Sequence, residues 1–392
     1  MSETKARGTH ASPRARHCAL GEPGALVDGI VSVIRKDGPI TFERFMETAL
    51  YAPGKGYYTS GRDTWGKSGD YITSIDVSAA FARTIARQLC EMWAALGEPA
   101  PFVLVEAGAG RGWLTKGIEE SIGNISPGLS EAIRFVLVEK NPALREPPTE
   151  KKSWFSDIGE VPPFQSGCIL SNELIDSFPV HKVVFTEASL KEVYVGHDSG
   201  FVETIGPLSN PEIESYFSSV GIEPFEGMET EVNLHAIKWI EKAAGLFEKG
   251  FVITIDYGFP ARELYAPERK GTLVCHFRHT LNEDPYANIG EQDMTTHADF
   301  TALVNFGKKA GLELTGFTTQ KNFLLGLGVL EELKAPQGSM PVADEIAHNR
   351  AIARLITPGG MGDVFSVLIQ HKGIGKPVLS GFSFKDLSKR LS

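Results

Sequence analysis

The chain has 392 residues, of which 42% are hydrophobic and 22% charged, with 41 glycines and 23 prolines spread along its length; this excludes fibrous, collagen-like and wholly disordered proteins. Its net charge is −10, and Lys5, Arg7, Arg14 and Arg16 stand near the N-terminus against Glu3, so the body is more acidic than the total. Such a body lacks the basic field that gathers phosphates, which argues against nucleic acid and favours a cationic partner such as an Arg- or Lys-bearing protein segment. Cys18, Cys90, Cys168 and Cys275 make no CxxC pair, so neither a disulfide framework nor a metal site is expected. No apolar run approaches the roughly 18 residues of a membrane span, and a soluble protein without a membrane span is expected.

Residues 1–24 read as a disordered segment. Their Arg-bearing, acid-poor composition suits a bacterial N-terminus or an organellar transit peptide, so the expected location is the bacterial cytoplasm, with the mitochondrial matrix as the alternative. Helical spacing predicts a helix from Ala25 to Lys36, ended by Asp37-Gly38-Pro39, and a second from Thr41 to Leu50 capped by Thr41. Tyr51-Ala-Pro-Gly-Lys-Gly-Tyr-Tyr58 then predicts an ordered loop, because three aromatics in eight residues want burial.

Val77 to Leu96 reads as a long amphipathic helix. Six short apolar runs follow as buried strands: Phe102 to Glu106, Phe135 to Val138, Cys168 to Leu170, Phe251 to Ile255, Leu312 to Phe317 and Val364 to Ile369. Separated by helical patterns, they imply a doubly wound, mostly parallel α/β sheet. Val180 to Ile205 alternates apolar and polar residues, with Gly196 and Ser199-Gly200 as turn signals, and predicts an antiparallel meander; helices are expected at Glu212 to Ser219 and Thr230 to Phe247. This stretch reads as an insertion over the ligand-binding end of the sheet, and a second insertion runs from Tyr257 to about Thr296.

Phe102-Val-Leu-Val-Glu-Ala-Gly-Ala-Gly-Arg-Gly-Trp113 places three glycines at alternate positions between a strand and a helix. Gly108 and Gly110 let a ligand approach the backbone, and the helix N-terminus beyond favours a negative group. Glu139, ending the next strand, can accept both hydroxyls of a ribose lying across the switch point. A dinucleotide loop wants a third glycine where Trp113 stands. A plain strand-to-helix turn is the simpler alternative.

Gly61-Arg-Asp-Thr-Trp-Gly66-Lys67-Ser68 satisfies the phosphate-loop pattern, and Phe251 to Asp256 looks like its partner strand. A phosphate loop must follow an apolar strand and open a helix, however. Here Pro, Gly and Tyr precede it and β-branched residues follow, so context argues against an NTPase.

After the strand Cys168 to Leu170, Asn172, Glu173 and Asp176 emerge at the ligand edge, with the two carboxylates at i,i+3. If the segment turns helical they share a side, which suits bidentate binding of a guanidinium and capture of a proton that it sheds. A capping acid and an exposed acid are the bland alternative. His276-Phe-Arg-His279 could suggest a metal pair but lacks a third ligand at recognisable spacing.

The blocks Gly38 to Tyr58, Gly69-Asp-Tyr-Ile-Thr73, Glu106 to Gly110, Ser171 to Asp176, Asp256-Tyr-Gly258, Gly271-Thr-Leu273 with His279, Asp293 to Phe300 and Phe323 to Gly328 resemble, in order, those of the MidA family. The resemblance implies a Rossmann-like class I methyltransferase sheet with a helical N-terminal extension and α/β insertions. It implies S-adenosyl-L-methionine as cofactor, with Gly69, Asp70, Glu106, Gly108, Gly110, Glu139 and Asp157 at the cofactor. Asn172, Glu173 and Asp176 fall to catalysis, and Asp256 and His279 to the substrate. The implied activity is symmetric dimethylation of arginine on the quinone-site iron–sulfur subunit of respiratory complex I, supporting its assembly, with a homodimer left open. A non-enzymatic assembly chaperone retaining the fold is the alternative. Ser74-Ile75-Asp76 departs from the family's Pro-Glu pair. The expected division is 25–76 as an N-terminal region covering the cofactor site, 77–179 with 251–371 as the methyltransferase domain, 180–250 as the inserted substrate-side unit, and 372–392 as a tail.

Overall fold

Thr41 is a good N-cap because its hydroxyl can satisfy an orphan backbone donor. In the computed structural model, which describes residues 24–61, 78–333, 341–357 and 359–392, its Oγ1 accepts from Arg44 N at 3.1 Å. Gly69, Asp70, Asp76, the phosphate-loop-like run beyond Gly61 and residues 1–23 lie outside the described residues. The helix so capped is α2 (Phe42–Tyr51), preceded by α1 (Ala25–Asp37) and the two-residue strand β1 (Ile40–Thr41). After α3 (Ala79–Ala95), β2 (Phe102–Ala107) leads through the glycine loop to α4 (Trp113–Ile125), β3 (Ile133–Val138), β4 (Lys152–Phe155) and β5 (Phe164–Asn172).

The chain then leaves this sheet. β6 (His181–Thr186), β7 (Ser189–His197) and β8 (Phe201–Gly206) form the expected antiparallel meander, but β1 pairs with β7 and β9 (Glu229–Val232) with β6, giving five strands. Gly196 lies inside β7, and the turn is made at Asp198 to Gly200, where Asp198 N donates to Gly200 O. The helix expected over Thr230 to Phe247 is instead β9 followed by α5 (Leu234–Gly245). Asn233 separates them, its Oδ1 capping Ala236 N at 2.8 Å.

β10 (Phe247–Phe259) returns to the main sheet parallel to β5. A second excursion carries β11 (Val274–Phe277), β12 (Thr280–Asn282) and β13 (Asp293–Thr295) as a small antiparallel sheet. β14 (Ala298–Asp299) lies beside the end of β10, and α6 (Phe300–Lys309), β15 (Glu313–Thr319), α7 (Gln320–Gly326) and β16 (Phe365–Lys372) follow, β15 and β16 completing the main sheet. The strand order is β4-β3-β2-β5-β10-β16-β15. All these run parallel except β16, which is antiparallel to both neighbours. The order reverses beside β2, so the carboxyl ends of β2 and β5 open the crevice where ligands bind in doubly wound sheets. β4 escapes the sequence reading because an edge strand that is only half-buried shows no apolar run.

Packing redraws the segments in two places. Trp239, Ile240, Ala243 and Ala244 of α5 bury against Val105, Ile169 and Val252 of the sheet, so α5 is the sheet's own crossover helix although it falls within 180–250. Ile30, Ile34, Phe42, Phe45 and Met46 share one apolar core with Val180, Val195, Cys275 and Met294. The N-terminal helices, the meander and the second excursion therefore form one cap over the crevice, joined by β1 on β7. Burial of one such large side chain contributes about 1.5–3 kcal/mol, and Phe42, Phe45 and Tyr57 are fully enclosed there. The last residues are packed, with Leu387 N on Phe317 O and Leu391 buried.

Candidate active site

The glycine loop is shaped by backbone that side chains tolerate poorly. Gly108, Gly110 and Gly112 have φ of +72°, +53° and +69°, in the left-handed region. A Cβ on Gly108 would also stand 2.9 Å from Leu174 Cδ1, so the loop touches the turn after β5. Glu106, near the end of β2, anchors the loop to α4: its Oε2 accepts from Thr115 N at 3.1 Å and from the Thr115 hydroxyl. Burial pushes its carboxyl up to about 7 against the opposing bonds from Thr115.

Glu139 follows β3. Its Oε2 accepts from Gly110 N at 2.9 Å and its Oε1 from Asn141 N at 2.7 Å. Burial holds this carboxyl above its usual range, with the backbone donors opposing. Asp157 stands further out; its Oδ1 accepts from Gly159 N at 2.8 Å and meets Lys242 Nζ at 3.5 Å.

After β5 the chain turns without becoming helical, so the helical i,i+3 arrangement expected for Glu173 and Asp176 is not the means by which they meet. Glu173 takes a left-handed φ of +54° and donates its N–H to Ile255 O, which keeps the turn on β10. Asn172 Nδ2 donates to Glu173 Oε1 at 3.0 Å. Burial, then the charges of Asp256, Asp293 and Glu173, raise the Asp176 carboxyl well above the ordinary value. Asn172, Glu173 and Asp176 line one cavity of about 570 Å³ together with Glu106, Gly108, Gly110, Glu139 and Asp157.

Two expected substrate residues are placed elsewhere. Asp256 is fully buried and outside the cavity lining. Its Oδ2 accepts from Leu174 N at 3.1 Å and Ile175 N at 2.8 Å, and its Oδ1 from Tyr257 N at 2.9 Å. It holds the turn that carries Glu173 and Asp176, and burial raises it to about 7. His279 is exposed in the turn between β11 and β12, with φ of +60°, because a left-handed hairpin corner carries it outward; His276 lines the cavity instead. The sequence reading also missed Tyr51, Tyr58 and Asp293, which line the cavity from the cap. The density of Tyr in the first loop signalled burial, but nothing local shows that it faces β13.

A doubly wound sheet with one reversed strand, a glycine loop after its first strand and an acid after its second defines a class I methyltransferase fold. The chain belongs to the Methyltransf_28 family of S-adenosyl-L-methionine-dependent methyltransferases, whose model matches residues 84–318; this is the family whose sequence blocks are those of MidA. It is 27% identical to the mitochondrial protein arginine methyltransferase NDUFAF7 of Xenopus tropicalis, over 94% of this chain and 91% of that protein. It is 29% identical to human NDUFAF7 over 77% and 73%. A crystal structure of a COG1565 superfamily member from Burkholderia thailandensis, bound to S-adenosyl-homocysteine, superposes with a TM-score of 0.83 at 28% identity, over 95% of this chain and 100% of that one.

The cavity's own chemistry fits the family's cofactor, S-adenosyl-L-methionine. Its volume is that of a small-molecule site. Gly108 leaves no space for a side chain beside the turn, and Asn172 Oδ1 is a buried acceptor without a partner among the described residues.

Proposed function

We propose that this methyltransferase modifies an arginine of a protein. The observation that carries the reading is the gathering of Glu173, Asp176 and Asp293 in one cavity with the glycine loop. Clustered carboxylates suit a guanidinium, which stays charged and can be held bidentately. The names of the curated relatives support the same acceptor.

Gly108 and Gly110 would flank the methionine part of the cofactor, Glu139 would accept the ribose hydroxyls, and Glu106 would keep the loop in place. Asp157 would serve the outer end of the cofactor site. The bound cofactor supplies an electrophilic methyl. Asn172 holds Glu173 by its amide, and Asp256 fixes the turn through two backbone N–H groups. Methylation of a guanidinium nitrogen sheds one proton, which passes to the Glu173/Asp176 pair.

Extending the family resemblance, the acceptor is an arginine of the quinone-site iron–sulfur subunit of complex I, dimethylated symmetrically, and the reaction supports assembly of the complex. Location follows the acceptor: the matrix of mitochondria, as the relatives' names have it, or the bacterial cytoplasm. The cap formed by residues 25–61, the meander and the second excursion is the acceptor-side unit of this reading.

Glu173→Gln tests the chemistry. It should keep S-adenosylhomocysteine affinity within about twofold while lowering turnover by about 100-fold or more, the range of general acid–base contributions. Full turnover in this variant would remove Glu173 from the mechanism. Intact-mass measurement of the acceptor separates an enzyme from an assembly chaperone, because a chaperone adds no mass.

A further inference from the structure

The cap contributes a carboxylate to the cavity as well as covering it. Asp293, the first residue of β13, is buried, lines the cavity and accepts a hydrogen bond from Tyr58 Oη at 2.6 Å. Its charge reaches Asp176, Tyr51 and Tyr257, so it belongs to the same electrostatic group as the two carboxylates supplied by the turn after β5. Tyr58 stacks on Tyr51, with ring centroids 5.4 Å apart and planes 26° apart. Tyr51 is itself moored to the catalytic turn, its hydroxyl donating to Ser177 O at 3.0 Å.

Tyr58 is tied to the cofactor side as well. Asn141, 4% exposed, donates from Nδ2 to Tyr58 O at 3.0 Å and from its backbone N to Glu139 Oε1 at 2.7 Å. A chain of three hydrogen bonds thus runs from the acid expected at the ribose, through Asn141 and the backbone of Tyr58, to Asp293. Tyr51, Tyr58 and Tyr257 give this end of the cavity aromatic walls, which favour a flat, weakly hydrated cation over a compact, strongly hydrated ammonium.

We propose that Asp293, oriented by Tyr58, is an acceptor-binding carboxylate that selects a guanidinium. Glu173 and Asp176 meet the cation from the sheet side, and Asp293 meets it from the cap. Tyr58 is a positioning residue that acts through Asp293. Asn141 sets the position of Tyr58 relative to the cofactor carboxylate.

This inference rests on the arginine reading above, and its test keeps the two apart. Wild type, Asp293→Asn and Tyr58→Phe are assayed with radiolabelled S-adenosylmethionine, a short arginine peptide and its lysine counterpart, and titrated calorimetrically with S-adenosylhomocysteine. Wild-type protein that labels neither peptide nor any arginine of a protein extract contradicts the arginine reading itself. Where wild type labels arginine, Asp293→Asn should raise the peptide KM at least tenfold, with the cofactor KM and S-adenosylhomocysteine affinity within about twofold of wild type. Tyr58→Phe should raise the same KM by less, in the same direction. Wild-type peptide KM in Asp293→Asn, or equal loss of cofactor affinity in both variants, overturns the assignment of Asp293.

Discussion

Glu106 and Asp256 are buried and Glu139 is half-buried; all three are held by backbone donors, yet they hold different things. Glu106 anchors the start of α4, Glu139 joins the glycine loop to the segment after β3, and Asp256 fixes the turn after β5. Glu106 has a stability consequence with a definite sign. Its carboxyl rises from the ordinary 4.5 to about 7 on folding, so the folded chain holds this proton more tightly than the unfolded one. Its destabilising effect is absent below about 4.5, grows as pH rises, and is complete above about 7, where it amounts to about 3 kcal/mol. Glu106→Gln keeps an acceptor for Thr115 without the charge. Denaturant titrations should find this variant at least as stable as wild type at pH 8, with the advantage vanishing near pH 5; an advantage independent of pH would contradict the account. Glu106 was visible in the sequence as an acid before the glycine loop, but its bond to Thr115 was not, because a ligand-facing acid and a loop anchor look alike in letters.

The turn after β5 is an element without regular structure, and its shape depends on its neighbours. Asp256 Oδ2 takes two of its backbone N–H groups, and Leu174 packs against Gly108. Asp256→Ala leaves those two donors unpaired, the Ile175 N–H buried and the Leu174 N–H half-buried, a loss of about 2–5 kcal/mol. It should lower turnover together with stability, as measured by denaturant titration beside a methyl-transfer assay, and unchanged stability would contradict the role given to Asp256. Gly108→Ala should weaken S-adenosylhomocysteine binding at least tenfold by calorimetry, since both its left-handed backbone and Leu174 oppose a Cβ; wild-type affinity would refute the close approach. At this scale the strands were the most legible part, since buried runs such as Phe102 to Glu106 declare themselves by composition alone. β4 was hidden by its exposed edge, and β9 by residues whose alternation competes with a helical pattern until Asn233 is recognised as a cap.

At the scale of the molecule, the surplus length over a simple doubly wound sheet becomes a cap woven from three separated segments. The pairing of β1 with β7 and the shared core around Phe45 could not be read from sequence, because neither local periodicity nor composition says which distant apolar faces meet. The cap supplies Tyr51, Tyr58 and Asp293, whereas the glycine loop stands on the sheet. Phe45→Ala, a deletion in the cap core expected to cost about 3–5 kcal/mol, should therefore impair acceptor turnover more than S-adenosylhomocysteine affinity. Comparable losses of both would show that cap and sheet are not separable in this way.

On the proposed arginine reading, the acidic balance of the body serves at this scale to attract a cationic acceptor instead of phosphates. The most direct measurement is the site of methylation: the protein is incubated with labelled S-adenosylmethionine and the quinone-site iron–sulfur subunit, and the product is hydrolysed to amino acids. The label should be recovered in methylated arginine, with Glu173→Gln giving none. Label in another amino acid, or an unlabelled subunit with protein that binds S-adenosylhomocysteine normally, would contradict the account.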